Sequence, residues 1–251
     1  MQNVAIAAAI AAANAQGELT QITGISSMAT RQVLAELSSA FSERTGHTVA
    51  IESVGGVDAF KRVQAGEVFD VVILASDAID KLIASGAIAA GSRLDLVSSG
   101  VAVAVRAGVA LPNIESEEAV KSAVLAAKSI SYSTGPSGVA LAKLFERWGI
   151  AEDIKSRTVP APPGVPVGSL VAGGEVALGF QQLSELLHVD GLKIAGPLPE
   201  AIQITTIFSA GLPARRPTDL ARGAAVKALL DYMASPEASA AKMRQGMQAC
   251  I

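Results

Sequence analysis

Cysteine is almost missing from this chain: of 251 residues only Cys250 carries a thiol, one position from the end. That excludes an internal disulfide and any site assembled from several cysteines, and it fits a thiol without a role on a fraying tail. Histidine is nearly as scarce, with two residues, His47 and His188. The sequence shows no metal-ligand cluster, Ser-His-Asp arrangement or GxxxxGK phosphate loop, and no metal, cofactor or catalytic set is expected. Positive charge is thin: the formal net charge is −3 and no basic stretch is longer than a pair such as Arg215-Arg216. The chain therefore lacks the electrostatic footprint of a nucleic-acid binder. Long apolar runs are missing too, since the run 4–13 is about half the length of a membrane span.

What the chain does have is apolar bulk. Half of its residues are hydrophobic and 17% are charged, enough to bury one large core or two smaller ones. The stretch 1–17 has two readings. Its apolar run ends at Ala13-Asn14-Ala15, the small-x-small form of a leader-peptidase site, which points to export into the periplasm. No Lys or Arg precedes the run, which points instead to an ordinary N-terminal helix and cytoplasmic residence.

From residue 19 onward, short β-branched runs alternate with helical segments and turn residues mark the joints, which predicts an α/β chain with parallel sheets flanked by helices. Residues 19–25 read as a strand, Ser26-Ser27 as a turn, and 29–44 as a helix ended by Gly46, with Val33, Leu34, Leu37 and Phe41 at helical spacing. Strands follow at 49–54 and 69–74, with a helix at 58–64 between them. Asp58 and Asp77 are placed as helix caps. A further strand is read at 100–105 and a helix at 117–127. The pattern then restarts with a strand at 130–133, helices at 140–148 and 167–172, and a strand at 176–180. The strand 203–208 leads back to helices at 220–234 and 236–245. The chain thus crosses twice between two lobes, 18–98 with 205–251 and 99–204.

In open α/β sheets ligands bind beyond the carboxyl ends of the strands, so the strand-to-helix turns belong together. They are Ser26-Ser27, Gly55-Gly56, Ala75-Ser76, Thr134-Gly135 with Ser137-Gly138, Gly164-Val165 after Pro163, and Gln181-Gln182. All are small or neutral and polar. Such residues let backbone come close to a ligand, and unpaired amides at helix starts carry partial positive charge. Converging, they predict an anion cradle. Arg31, one turn into its helix, is either a two-pronged carboxylate contact or a solvated surface charge. Arg106, placed beside the hinge, has the same two readings, and a solvated surface charge is the favoured one. Tyr132 and Phe180 read as core or cleft wall.

Ile25-Ser26-Ser27-Met28, the stretch GEVFDVVILASD at 66–77 and GEVALGFQQ at 174–182 resemble the molybdate-binding branch of the type II periplasmic solute-binding proteins. The resemblance implies two doubly wound lobes, a two-strand hinge and a ligand cleft between the lobes, with Ser26 or Ser27 on the oxyanion. It also implies a monomer that hands a small anion to an ABC permease. The chain departs from that family's pattern at Gly55-Gly56, where a serine-rich loop is usual, and at Gln181, where tyrosine is usual. Both changes favour a ligand with several carboxylates or mixed polar groups over a compact tetrahedral anion. The loops are similar to those of aconitate isomerase as well, which makes an isomerase the alternative to a transport-type binder. A proton-transferring group is then required, and Asp58 and Asp77 are the nearest acids. A sensory domain is the third class.

Overall fold

The computed structural model describes residues 19–250 apart from 163 and 216–218, so the 1–17 segment lies outside the described residues. Two sheets share one strand. The first holds β1 (Gln21–Ser27), β2 (Thr48–Val54), β3 (Val71–Ala75), the first half of β4 (Leu94–Arg106), β8 (Thr205–Gly211) and β9 (Gln248–Ala249). The second holds the rest of β4 with β5 (Ile130–Tyr132), β6 (Leu178–Gln182) and β7 (Leu192–Pro197). From Leu94 to Gly100, β4 pairs with β8; from Val101 onward it pairs with β6 and β7.

Each sheet buries both faces, and β3 shows how a strand does so. Its five residues are all buried. Val71, Ile73 and Ala75 enter one apolar cluster and Val72 and Leu74 another, as a two-residue period requires. The first cluster is closed by α1 (Arg31–Thr45) and α9 (Leu220–Ala234), the second by α2 (Gly56–Gln64) and α3 (Ser76–Ala84). In the second sheet Val101, Val103 and Val105 face α4 (Glu117–Ala126) and α5 (Pro136–Arg147), around Phe145 and Phe180. Ala102 and Ala104 face Leu186 of α8 (Leu183–Leu186). Phe145 meets Phe180 and Tyr132 edge-on, so Phe180 is a core residue with the partly buried Tyr132 packed against the same cluster, and truncating Phe145 to alanine costs about 3–5 kcal/mol. The remaining helices are α6 (Ala151–Lys155), α7 (Val167–Gly173) and α10 (Ser239–Arg244).

Several expectations are corrected. The sheets are mixed rather than parallel: β8 runs antiparallel to β3 and β4, and β4 runs antiparallel to β6 and β7. A strand that crosses from one sheet to the other enters it against the direction set by the βαβ units. Ser26 and Ser27 end β1 instead of forming a turn, because both pair with β2, Ser26 with Ser53 and Ser27 with Val54. Pro136, Ser137 and Gly138 open α5 rather than precede it, as proline's fixed φ allows at a first helical position. Asp58 and Asp77 are not caps. Gly55 and Ala75 hold those positions, and the two acids sit in the first turns, where the helix dipole favours them. Arg106 lies at the far end of β4, with its guanidinium against Gly174, away from the switch at Gly100. Near the end of the chain Gln248 and Ala249 pair with Ser98 and Val97 in the first sheet.

Where β4 passes between the sheets, polar side chains replace apolar packing. Gln203 Oε1 accepts from the amides of Val101 (3.1 Å) and Ile204 (2.8 Å), and Gln203 Nε2 donates to the Leu198 carbonyl. The Cβ of any residue replacing Gly100 would lie 2.9 Å from Gln203 Nε2. One glutamine thereby ties both passing segments together.

Candidate functional site

The carboxyl ends of β1, β2 and β3 form one rim. Ser26 is fully buried and its Oγ lies 2.8 Å from Ser53 Oγ on β2. Ser27 Oγ accepts from the Ala29 amide and caps the turn Met28–Thr30 that leads into α1. A Cβ on Gly56 would lie 3.6 Å from Ser27 Oγ, so the first two turns are neighbours. Helices α2 and α3 start from Gly55 and Ala75, neither of which supplies a side-chain cap. By contrast α4 and α9, which do not follow a strand of this rim, are capped by Ser116 and Asp219. Uncapped helix starts leave amides for a ligand. Asp77 is exposed and paired with Lys81 at 3.3 Å, and Asp58 is exposed.

The ends of β5 and β6 form the other rim. Gly135 opens α5 without a side-chain cap. Ser133 Oγ lies 3.0 Å from Ser137 Oγ, and the Ser133 carbonyl folds so far over the helix start that a Cβ on Gly138 would lie 1.5 Å from its oxygen. Only glycine fits there. Thr134 is exposed, as are Gly164, which sits at φ 76°, and Val165 on the loop before α7. Gln181 is buried: its Oε1 accepts from the Gly168 amide in the first turn of α7, and its Nε2 donates to Glu185 Oε1, both at 2.9 Å. Gln182, which the sequence pairs with it, turns to β8 of the first sheet and donates to Thr206 Oγ1 at 2.8 Å. Its Oε1 is a buried acceptor with no hydrogen-bond partner among the described residues.

The two rims meet through α8, which packs against the Met28–Thr30 turn. Arg31 is exposed and lines a groove of about 600 Å³ between α1 and β2, with Ser38, Ser39, Ser42 and Ser53. His188 is exposed and is bonded to Gln245; His47 Nδ1 accepts from the Thr20 amide before β1, at the opposite end of the strands.

Glu185 is the residue that the sequence reading passes over. Part of its surface reaches solvent, but its carboxyl is packed among protein atoms and no cation pairs with it among the described residues. Burial pushes the carboxyl up to about 7, against the pull of the Gln181 N–H. The stretch Gln181-Gln182-Leu183-Ser184-Glu185 carries a signal in retrospect, an acid four residues after a rim glutamine. Periodicity is blind to it because α8 is only four residues long. Among the described residues no group of three His, Cys, Asp or Glu stands close enough to hold a metal ion, and no helix is long and apolar enough to cross a membrane.

Three comparisons bear on this arrangement. The chain is 37% identical to aconitate isomerase of a Pseudomonas species, over 92% of its own length and 88% of that protein's. It is 28% identical to the molybdate-binding protein ModA of Azotobacter vinelandii, over 94% and 92% of the two chains. The solved periplasmic molybdate-binding protein of the same organism has the same fold, with a TM-score of 0.73, 21% identity, and coverage of 90% of this chain and 98% of that one. Residues 22–248 match the model of the bacterial extracellular solute-binding proteins, and with nearly the whole described chain inside that match, the protein belongs to this family.

Proposed function

We propose that the protein captures a small polyanion of the polycarboxylate class between its two rims, outside the cytoplasm. The observation that carries this reading is the set of helix starts at the strand ends, α2, α3 and α5, which face the rims with glycine or alanine in the capping position. Backbone amides there attract negative charge without a fixed cation. Gly55-Gly56 and Gln181 leave more room, and fewer hydroxyl donors, than a compact tetrahedral oxyanion calls for.

In this reading the lobes are 18–98 with 205–251 and 99–204. They close about β4 near Gly100 and about the segment before β8, and contacts from both rims become simultaneous only when shut. Ligand then shifts the population toward the closed form, a monomer passes its cargo to an ABC permease, and the 1–17 segment serves as the export leader. The test is a melting curve of the protein lacking residues 1–17 with molybdate, sulfate, citrate, and cis- and trans-aconitate. A rise with the tricarboxylates and none with molybdate is expected; a rise with molybdate alone would replace the ligand class.

A second reading is favoured by the 37% identity to an aconitate isomerase together with the uncompensated carboxyl of Glu185. Here the captured tricarboxylate leaves with its double bond moved.

A further inference from the structure

We propose that Glu185 moves a proton on a bound unsaturated tricarboxylate, so that the protein isomerises its ligand as well as holding it. The inference rests on the capture reading above.

Three placements support it. Glu185 stands in α8, which begins where β6 ends, at the strand terminus where an open α/β sheet presents ligands. The same short helix packs on the Met28–Thr30 turn of the opposite rim, so its first turn lies where the two rims come together. The carboxyl is also oriented: Gln181 grips Glu185 Oε1 with its amino group while its carbonyl oxygen holds the Gly168 amide. A buried acid is ordinarily found with a cation or several donors. Among the described residues Glu185 has one donor, Gln181, and burial and that hydrogen bond are the two influences on its protonation. No charged group from β4, β6, β7 or the Met28–Thr30 turn, the elements packed on α8, contributes.

The step needs nothing beyond the ligand and this carboxyl. In its ionised form Glu185 removes a proton from the methylene carbon beside the double bond, and the C–H electron pair spreads over the three-carbon allyl unit and its attached carboxylate. The double bond re-forms one carbon along as the same carboxyl returns the proton to the far end of the unit. Atoms and electrons balance without an oxidant or co-reactant. Helix amides at the starts of α3 and α5 favour the charge that builds on the ligand's carboxylates. A carboxyl poised near neutrality is present in both the form that takes the proton and the form that gives it back.

The experiment follows cis- and trans-aconitate by proton NMR in heavy water with the parent protein, Glu185→Gln and Glu185→Asp, recording ligand-induced melting shifts in parallel. The parent is expected to exchange the methylene protons for deuterium and interconvert the isomers. Glu185→Gln should keep the melting shift and lose turnover by about 100-fold or more. Glu185→Asp should keep part of the rate with a displaced pH profile. Turnover by Glu185→Gln within a few-fold of the parent overturns the role of Glu185. A parent that shows a melting shift but neither exchange nor conversion overturns the inference and leaves the capture reading standing; a parent with no shift for any tricarboxylate overturns both. If Glu185→Gln does not fold, Glu185→Asp decides, since an unchanged rate and pH profile in that variant also overturn it.

Discussion

The two rims are built from different materials. On the first, the side chains are short and bonded to each other or to the nearest turn, Ser26 to Ser53 and Ser27 to the Ala29 amide, and the helix starts behind them are open. On the second, longer side chains reach across elements: Gln181 joins β6 to α7 and α8, and Gln182 joins β6 to β8 of the first sheet. The first rim thus offers charge attraction with little shape. The second offers a fixed shape and a titrating group, so under the proposed capture it is the second that discriminates among anions. Substitutions of equal size should accordingly cost the second rim its fold and the first rim only its ligand.

Glycine provides the sharpest contrast. Gly138→Ala places a Cβ 1.5 Å from the Ser133 carbonyl oxygen, whereas Gly56→Ala places one 3.6 Å from Ser27 Oγ, an ordinary contact. We expect Gly138→Ala to lower stability by about 3 kcal/mol in denaturant titration and to remove the ligand-induced melting shift. Gly56→Ala should unfold with the parent and lose only ligand affinity. Equal stability losses in the two variants would erase the distinction between the rims.

Gln181→Leu comes next. It strips the Gly168 amide of its acceptor and Glu185 of its donor, and a buried group left without a partner costs about 1–3 kcal/mol. Because the Gln181 N–H pulls the Glu185 carboxyl down, the variant should also raise that carboxyl further, which a carbon-13 titration of labelled glutamate reads directly. An unmoved titration would mean that the two side chains are not engaged in solution.

The contrast between the rims was only half legible in the sequence. The buried run of β3 and the spacing of Val33, Leu34, Leu37 and Phe41 in α1 announce themselves through period and composition, and the small turn residues of the first rim follow directly from them. The start of β4 does not, because Ser98-Ser99-Gly100 reads as a break while the backbone runs straight through it from one sheet to the other. Strand β7 escapes as well, since LKIAGP carries a glycine and a proline and is half exposed along its length. The second rim depends on contacts distant in sequence, such as Gln182 with Thr206 and Gln203 with Val101, and no local pattern encodes those. Glu185 was hidden for the same reason: its significance lies in the burial that surrounds it.

The smallest of these effects is a dependence on pH. The Glu185 carboxyl stands at about 7 in the folded chain, against 4.5 for an unperturbed glutamate. Below pH 4.5 both states hold the proton and the residue makes no difference. Between 4.5 and 7 the folded state holds more protons than the unfolded one, so stability falls as the pH rises, and above 7 the loss is complete. After discounting for the part of the side chain that water reaches, the loss amounts to roughly 2 kcal/mol. Glu185→Gln should therefore match the parent at pH 4 and exceed it by about that amount at pH 8. Plotting the variant's stability minus the parent's against pH isolates this residue from every other titrating group. A flat difference curve for Glu185→Gln would place its carboxyl in water, and with it would go the distinction between a rim that attracts anions and a rim that handles their protons.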